Sequence, residues 1–186
     1  MMQLQDKGEI FWGSSLRETV YLSLLAAFAI VIHGMEIAIP SPIPWLRIGL
    51  ANIITLTVLL IFGLKAAIYI TLIRVIIGSF LSGTFLGPAF LLSFSGGVAS
   101  TIAMGITQRI FGRIFSPVGI SLIGASVHNV AQIAVVYLVL IRRKEVFLFL
   151  PVILFLAAIT GIFNGIISSF LIGHLKKILN KSNLSL

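Results

Sequence analysis

The chain has 186 residues, 59% of them hydrophobic and 10% charged, with a net charge of +8 and no cysteine. A soluble domain carries about a quarter charged residues, so this chain cannot cover a water-facing surface, and its continuous apolar runs point to lipid-embedded helices rather than an outer-membrane barrel. The absence of cysteine excludes disulfides, iron–sulfur clusters and thiolate zinc sites, and the positive charge does not imply nucleic acid, because the basic residues sit at the ends of apolar runs, where they orient helices in a bilayer.

Residues 1–15 form a polar, interfacial head in which Phe11 and Trp12 suit the headgroup level. With Asp6, Glu9 and Glu18 at its front, the long apolar run that follows reads as a retained first span rather than a cleaved signal. A span needs about 20 apolar residues. On that measure span 1 covers roughly residues 17–38. Pro40, Pro42 and Pro44 cannot continue a helix and make a stiff loop. Span 2 is short, at roughly 48–62, and Gly63 and Lys65 mark a tight turn. Span 3 covers roughly 66–81 with Arg74 near its middle, and residues 82–88 form a loop. Spans 4 and 5 cover roughly 89–110 and 117–141. A charged turn (Arg142, Arg143, Lys144, Glu145) leads to span 6 at roughly 147–175. The expected layout is a six-helix membrane domain over 16–176, followed by a basic tail over 177–186.

Six spans put both termini on one side. If that side is the cytoplasm, Lys7, Arg17, Lys65, Arg109, Arg113, Lys176, Lys177 and Lys181 are inside, and Arg47, Arg142, Arg143 and Lys144 are outside, eight against four. The positive-inside rule favours this orientation. Small residues recur every four positions in span 4 (Ser93, Gly97, Thr101, Gly105) and span 6 (Gly161, Gly165, Ser169, Gly173). Such ridges let membrane helices pack closely, or they slide against another subunit.

The polar residues inside the spans carry the chemistry. An arginine at bilayer depth costs at least about 2.5 kcal/mol unless satisfied. Arg74 has three candidate partners: Glu36, backbone carbonyls, or an anion brought from outside. Arg74 and Arg47 against Glu36 leave a positive surplus, suited to a carboxylate or phosphate that a guanidinium grips through two parallel bonds. The alternative is an Arg74–Glu36 bridge that only locks span 3 to span 1. In span 5, between residues 114 and 141, there is no Asp, Glu, Lys or Arg, yet His128, Asn129 and Gln132 share one helical face. His128 lacks metal-ligand company, since His33 and His174 lie in other spans. As a proton relay it would have Glu36 alone. The face is either the wall of a small-molecule pocket or interhelical glue, and Asn52 and Asn164 share those alternatives. Enzyme chemistry is hard to build: the single aspartate, Asp6, cannot supply the clusters that magnesium-dependent diphosphate chemistry needs, and there is no Walker A sequence.

The segments Arg47-Ile-Gly-Leu-Ala-Asn-Ile53, Arg74-Val-Ile-Ile-Gly-Ser79, Gly83-Thr-Phe, Pro88-Ala-Phe-Leu-Leu-Ser-Phe-Ser-Gly-Gly97 and Ser126-Val-His-Asn-Val-Ala-Gln132 resemble the Gx transporter family, also called heptaprenyl diphosphate synthase component I. That family is similar to the substrate-binding S components of energy-coupling factor (ECF) vitamin transporters. The resemblance implies an S-component-like bundle of six helices and a ligand site in the outer half, closed by the first and third loops. It also implies an ECF module, a coupling protein with two ATPases, that topples the S component in the membrane. S components dock through small residues spaced four apart on span 1. Here Ser23 and Ala27 hold that spacing with Ala26 beside them, a departure from two alanines, and the resemblance implies these three as the coupling interface.

The expectation is therefore an all-α integral membrane protein of a prokaryotic cytoplasmic membrane, with no cofactor, no metal and no catalysis of its own. It would capture a small anionic vitamin or quinone/isoprenoid precursor. Arg74 would pair the anion, His128, Asn129 and Gln132 would line the pocket with Asn52 beside them, and Glu36 would set the charge balance. The rival is a non-catalytic membrane subunit that assists a polyprenyl diphosphate synthase. A solitary facilitator is a third reading.

Overall fold

A computed structural model describes residues 16–38 and 49–183. The predicted head with Phe11 and Trp12, the proline loop over 40–44, Arg47 and residues 184–186 lie outside them, as do the side chains of Arg17 and Lys181. Among the described residues the chain is all helical, with α1 (Leu16–Ala38), α2 (Asn52–Phe62), α3 (Leu64–Leu81), α4 (Pro88–Phe111), α5 (Pro117–Val135) and α6 (Leu150–Asn183). A π-helical stretch, Val136–Ile141, extends α5, and a 3-10 stretch, Lys144–Phe149, leads into α6.

The helix ends follow local chemistry. Pro88 and Pro117 stand in the first turn of α4 and α5, where a missing N–H costs nothing. The Ser116 hydroxyl caps α5 by accepting from the Gly119 N–H at 3.3 Å. α3 closes with Gly83 at φ +64°, where the Thr84 N–H reaches the Ser79 carbonyl and the Gly83 N–H reaches Phe80. This is the paired bonding of a left-handed glycine cap.

Five helices are long and apolar enough to cross a bilayer. The second predicted span is not among them: α2 has 11 residues. At 1.5 Å per residue that is about 16 Å, half of a hydrocarbon core about 30 Å thick. Yet the chain must return across the membrane here, because α1 and α3 run the same way. Leu25 clusters with Ala66, Ala67 and Ile70, and further along both helices His33 meets Gly78. α2 makes the inner part of that return, and the turn over 49–51 that feeds it sits inside the bundle. Irregular backbone at membrane depth is tolerated only where protein covers it. Residues 51–59 are all buried, so α2 is the central post around which the longer helices stand.

Glycines set the closest approaches. On α4, Gly97 faces Thr71 and Arg74 of α3, Gly105 faces Leu64, and Gly96 faces His128 and Gln132 of α5. On α6, a Cβ at Gly161 or Gly165 would lie 3.0 and 2.5 Å from the Cα atoms of Leu122 and Val118, so α5 and α6 touch backbone to backbone. These two members of the span 6 ridge serve bundle packing, whereas Gly173 has open space beside it. Outward faces are apolar: Val20, Leu24, Phe28, Val31 and Met35 on α1, and Phe155, Ile159, Phe163, Ile166 and Phe170 on α6, are exposed. In a chain with so few charges that surface faces lipid. α6 continues through Lys176 and Lys177 into the predicted tail and ends at Asn183.

Candidate functional site

The centre of the site is not a side chain but the buried turn over residues 49–52. Four helices grip it from different directions. From α1, the Glu36 carboxylate accepts the Leu50 N–H. From α3, Arg74 Nη2 donates to Asn52 Oδ1 at 2.8 Å. From α6, Asn164 Nδ2 donates to the Gly49 carbonyl at 3.1 Å, and one turn on Ser168 Oγ donates to the Ile53 carbonyl at 2.9 Å. From α5, the His128 ring packs against Gly49, where a Cβ would lie 3.7 Å from Nε2. Gly49 has φ +79°, the left-handed region that glycine tolerates best.

Each predicted site residue is buried. Arg74 is 2% exposed, Glu36 9%, Asn52 5%, His128 4%, Asn129 3% and Gln132 1%. The structure brings Arg74, Asn52, His128 and Gln132 together around Gly49 and the Gly96–Gly97 pair. Gln132 Nε2 lies 2.9 Å from His128 Nε2. A side-chain amide nitrogen only donates, so the contact fits the tautomer in which this ring nitrogen accepts and Nδ1 carries the proton. Arg74 is ten residues into α3, about 15 Å along its axis and so near half-depth. Three residues back, Thr71 Oγ1 contacts Thr101 Oγ1 at 2.9 Å and Thr55 Oγ1 at 3.4 Å, forming a hydroxyl layer beneath it.

Among the described residues, Glu36 and Arg74 form no ion pair within 4 Å. The carboxylate instead faces His33, with Oε2 3.8 Å from Nδ1. The Arg74 guanidinium has five N–H donors. One is committed to Asn52, and Nε–H has no hydrogen-bond partner among the described residues. Asn129 Oδ1, Asn164 Oδ1 and Ser93 Oγ are likewise buried and unpartnered among them. Buried polar atoms without a partner call for one, such as an ordered water, an ion or a ligand.

Sequence reasoning missed Gly49 and His33. Gly49 carries no hydropathy signal beyond its neighbours, although it lay within the quoted segment from Arg47 to Ile53. His33 lies near the predicted end of span 1, three residues from the only interior acid, and that spacing was the available sign. The expected coupling residues are on the other side of α1. Ser23 and Ala27 are exposed, Ser23 Oγ donates to its own helix at Thr19 O (2.8 Å), and Ala26 leans on the core. No group of three His, Cys, Asp or Glu side chains able to hold a metal occurs among the described residues.

A family model described as heptaprenyl diphosphate synthase component I matches residues 25–171. Comparison with curated proteins and with solved structures gives no match.

Proposed function

The chain belongs to the heptaprenyl diphosphate synthase component I family, and from that premise we propose that it is a membrane-embedded, non-catalytic binding subunit of the S-component kind. Its ligand is a small carboxylate or phosphate, drawn from vitamins or from quinone and isoprenoid precursors. One observation carries this reading: a buried guanidinium stands at half-depth beside the N-terminus of a half-length helix, and the nearest carboxylate is held by other groups. Half-helices that begin inside the membrane direct the positive end of their dipole at anionic substrate groups in transporters. Arg74 adds a fork of donors suited to an oxyanion. Asn52, His128, Asn129 and Gln132 supply the neutral polar wall, and Glu36 sets the charge. The protein lies in a prokaryotic cytoplasmic membrane with both termini inside, and an ECF module drawing on Ser23, Ala26 and Ala27 would couple it to ATP.

The test is native mass spectrometry of protein purified from its own host. We expect a retained anionic small molecule, lost in Arg74→Ala while the fold survives. A folded Arg74→Ala protein that keeps its ligand removes Arg74 from the site. The family description favours a second reading, a membrane component that works with a prenyl diphosphate synthase. Co-purification of a soluble synthase, with no small molecule retained, selects that reading.

A further inference from the structure

Anion capture at Arg74 raises a question of charge balance. Among the described residues the buried layer holds one guanidinium, Arg74, and one carboxylate, Glu36, and each feels the other's charge. An anion that engages Arg74 takes that compensation away. Glu36 would be left as an unpaired carboxylate at membrane depth, which a low-dielectric interior does not hold.

The groups around Glu36 point to how the balance is kept. His33, one turn before it on α1, is 3% exposed and its Nδ1 lies 3.8 Å from Glu36 Oε2. Its ring lies flush on α3 only because residue 78 is glycine, where a Cβ would come within 2.5 Å of the ring's Cδ2. Neither ring nitrogen has a hydrogen-bond partner among the described residues. α3 presents Arg74 to this pair. α2 presents no titratable side chain, and the turn before it presents only the Leu50 N–H to Glu36 Oε1. α5 presents His128 across Gly49. The described parts of α4 and α6 bring no titratable side chain into the layer.

We propose that Glu36 and His33 form a proton-accepting pair that serves as the built-in counter-charge of Arg74, so that each oxyanion captured there brings one proton onto the pair. The proton passes from bulk water to the Glu36 carboxylate or the adjacent His33 ring, and no bond of the anion is made or broken. Capture is then favoured on the more acidic side of the membrane and release on the more alkaline side. The proton gradient then supplies a driving force in addition to that of the ATPases. This mechanism rests on the Arg74 anion site proposed above, and the experiment separates the two.

Inorganic sulfate is the probe, because it does not titrate in the working range. Sulfate binding is followed by thermal shift of the full chain in nanodiscs of neutral phosphatidylcholine, with sulfate replacing chloride at constant ionic strength. Wild-type affinity should fall as pH rises, by up to about tenfold per pH unit, the slope for one linked proton. Glu36→Gln keeps an acceptor for Leu50 but removes the charge, so it should bind sulfate more tightly and with a flatter pH profile. Arg74→Gln should show no specific sulfate effect. Equal affinity and equal slope in wild type and Glu36→Gln overturn the proton pair and leave the anion site standing. No sulfate effect in either protein overturns the anion site and the pair with it. Should Glu36→Gln fail to fold, a pH indicator decides on wild type alone: about one proton taken up per bound sulfate supports the pair, and none overturns it.

Discussion

Gly49 is where the smallest change has the clearest consequence. Its positive φ costs an L side chain about 1–2 kcal/mol, and a Cβ would lie 3.0 Å from the Asn52 amide that receives Arg74. Gly49→Ala is therefore expected to lower stability by about 1–2 kcal/mol and to weaken ligand retention as well, because the Asn52–Arg74 bond must shift. Gly34→Ala is the control, since nothing lies within 4 Å of its added Cβ and alanine favours a helix interior. Equal stabilities for the two variants in mixed micelles would remove the role given to Gly49. Arg74, His128, Gln132 and Asn52 were legible in the sequence because a polar group inside an apolar run is expensive and so stands out. Gly49 was not legible, because its importance lies in a backbone angle and in what four distant helices do to it. His33 was read only as a missing metal ligand. Its value comes from Gly78, which is 45 residues away in the chain.

At the scale of elements, composition located the helices well where punctuation was chemical. Pro88, Pro117 and the cap at Gly83 act locally, so the ends of α3, α4 and α5 fall close to expectation. The start of α2 was misplaced because Ile48, Leu50 and Ala51 are as apolar as a helix, and only tertiary contacts make residues 49–51 a turn. α6 runs on past the expected span through Lys176 and Lys177 to Asn183, because lysine is a good helix former. The four-residue ridge of α6 divides in the same way. Gly165 touches the α5 backbone and Gly173 touches nothing within 4 Å. Gly165→Leu should force α5 and α6 apart at a cost of about 1–3 kcal/mol, while Gly173→Leu should be nearly neutral. Chemical denaturation of both variants decides it. Equal losses would mean that the ridge works as a continuous surface against another chain rather than as a local crossing.

For the whole molecule, the two ends of the bundle are both basic, and this makes orientation a quantitative matter. Exposed Lys65, Arg109, Arg113, Lys176 and Lys177 crowd the end where α2, α4 and α6 finish, with Glu18 the acid near the start of α1. Arg142, Arg143 and Lys144 mark the other end, with Glu145 beside them. Lysine and arginine set topology far more than acids do, so the positive-inside rule, at five against three, favours the first end as the cytoplasmic one. In that orientation Glu36, residues 49–52 and Asn164 would lie on the outer side of the apolar cluster of Leu56, Leu59, Ile70, Met104 and Ile120. Inward release of a ligand would then require the helices around α2 to move, because that cluster fills the other half of the bundle. The chain's lack of cysteine makes orientation directly measurable. Arg143→Cys should react with a membrane-impermeant maleimide in whole cells, and Lys176→Cys should react only after lysis. The opposite pattern would invert the bundle, point the Arg74 layer at the cytoplasm and favour a cytoplasmic protein partner over a captured external solute.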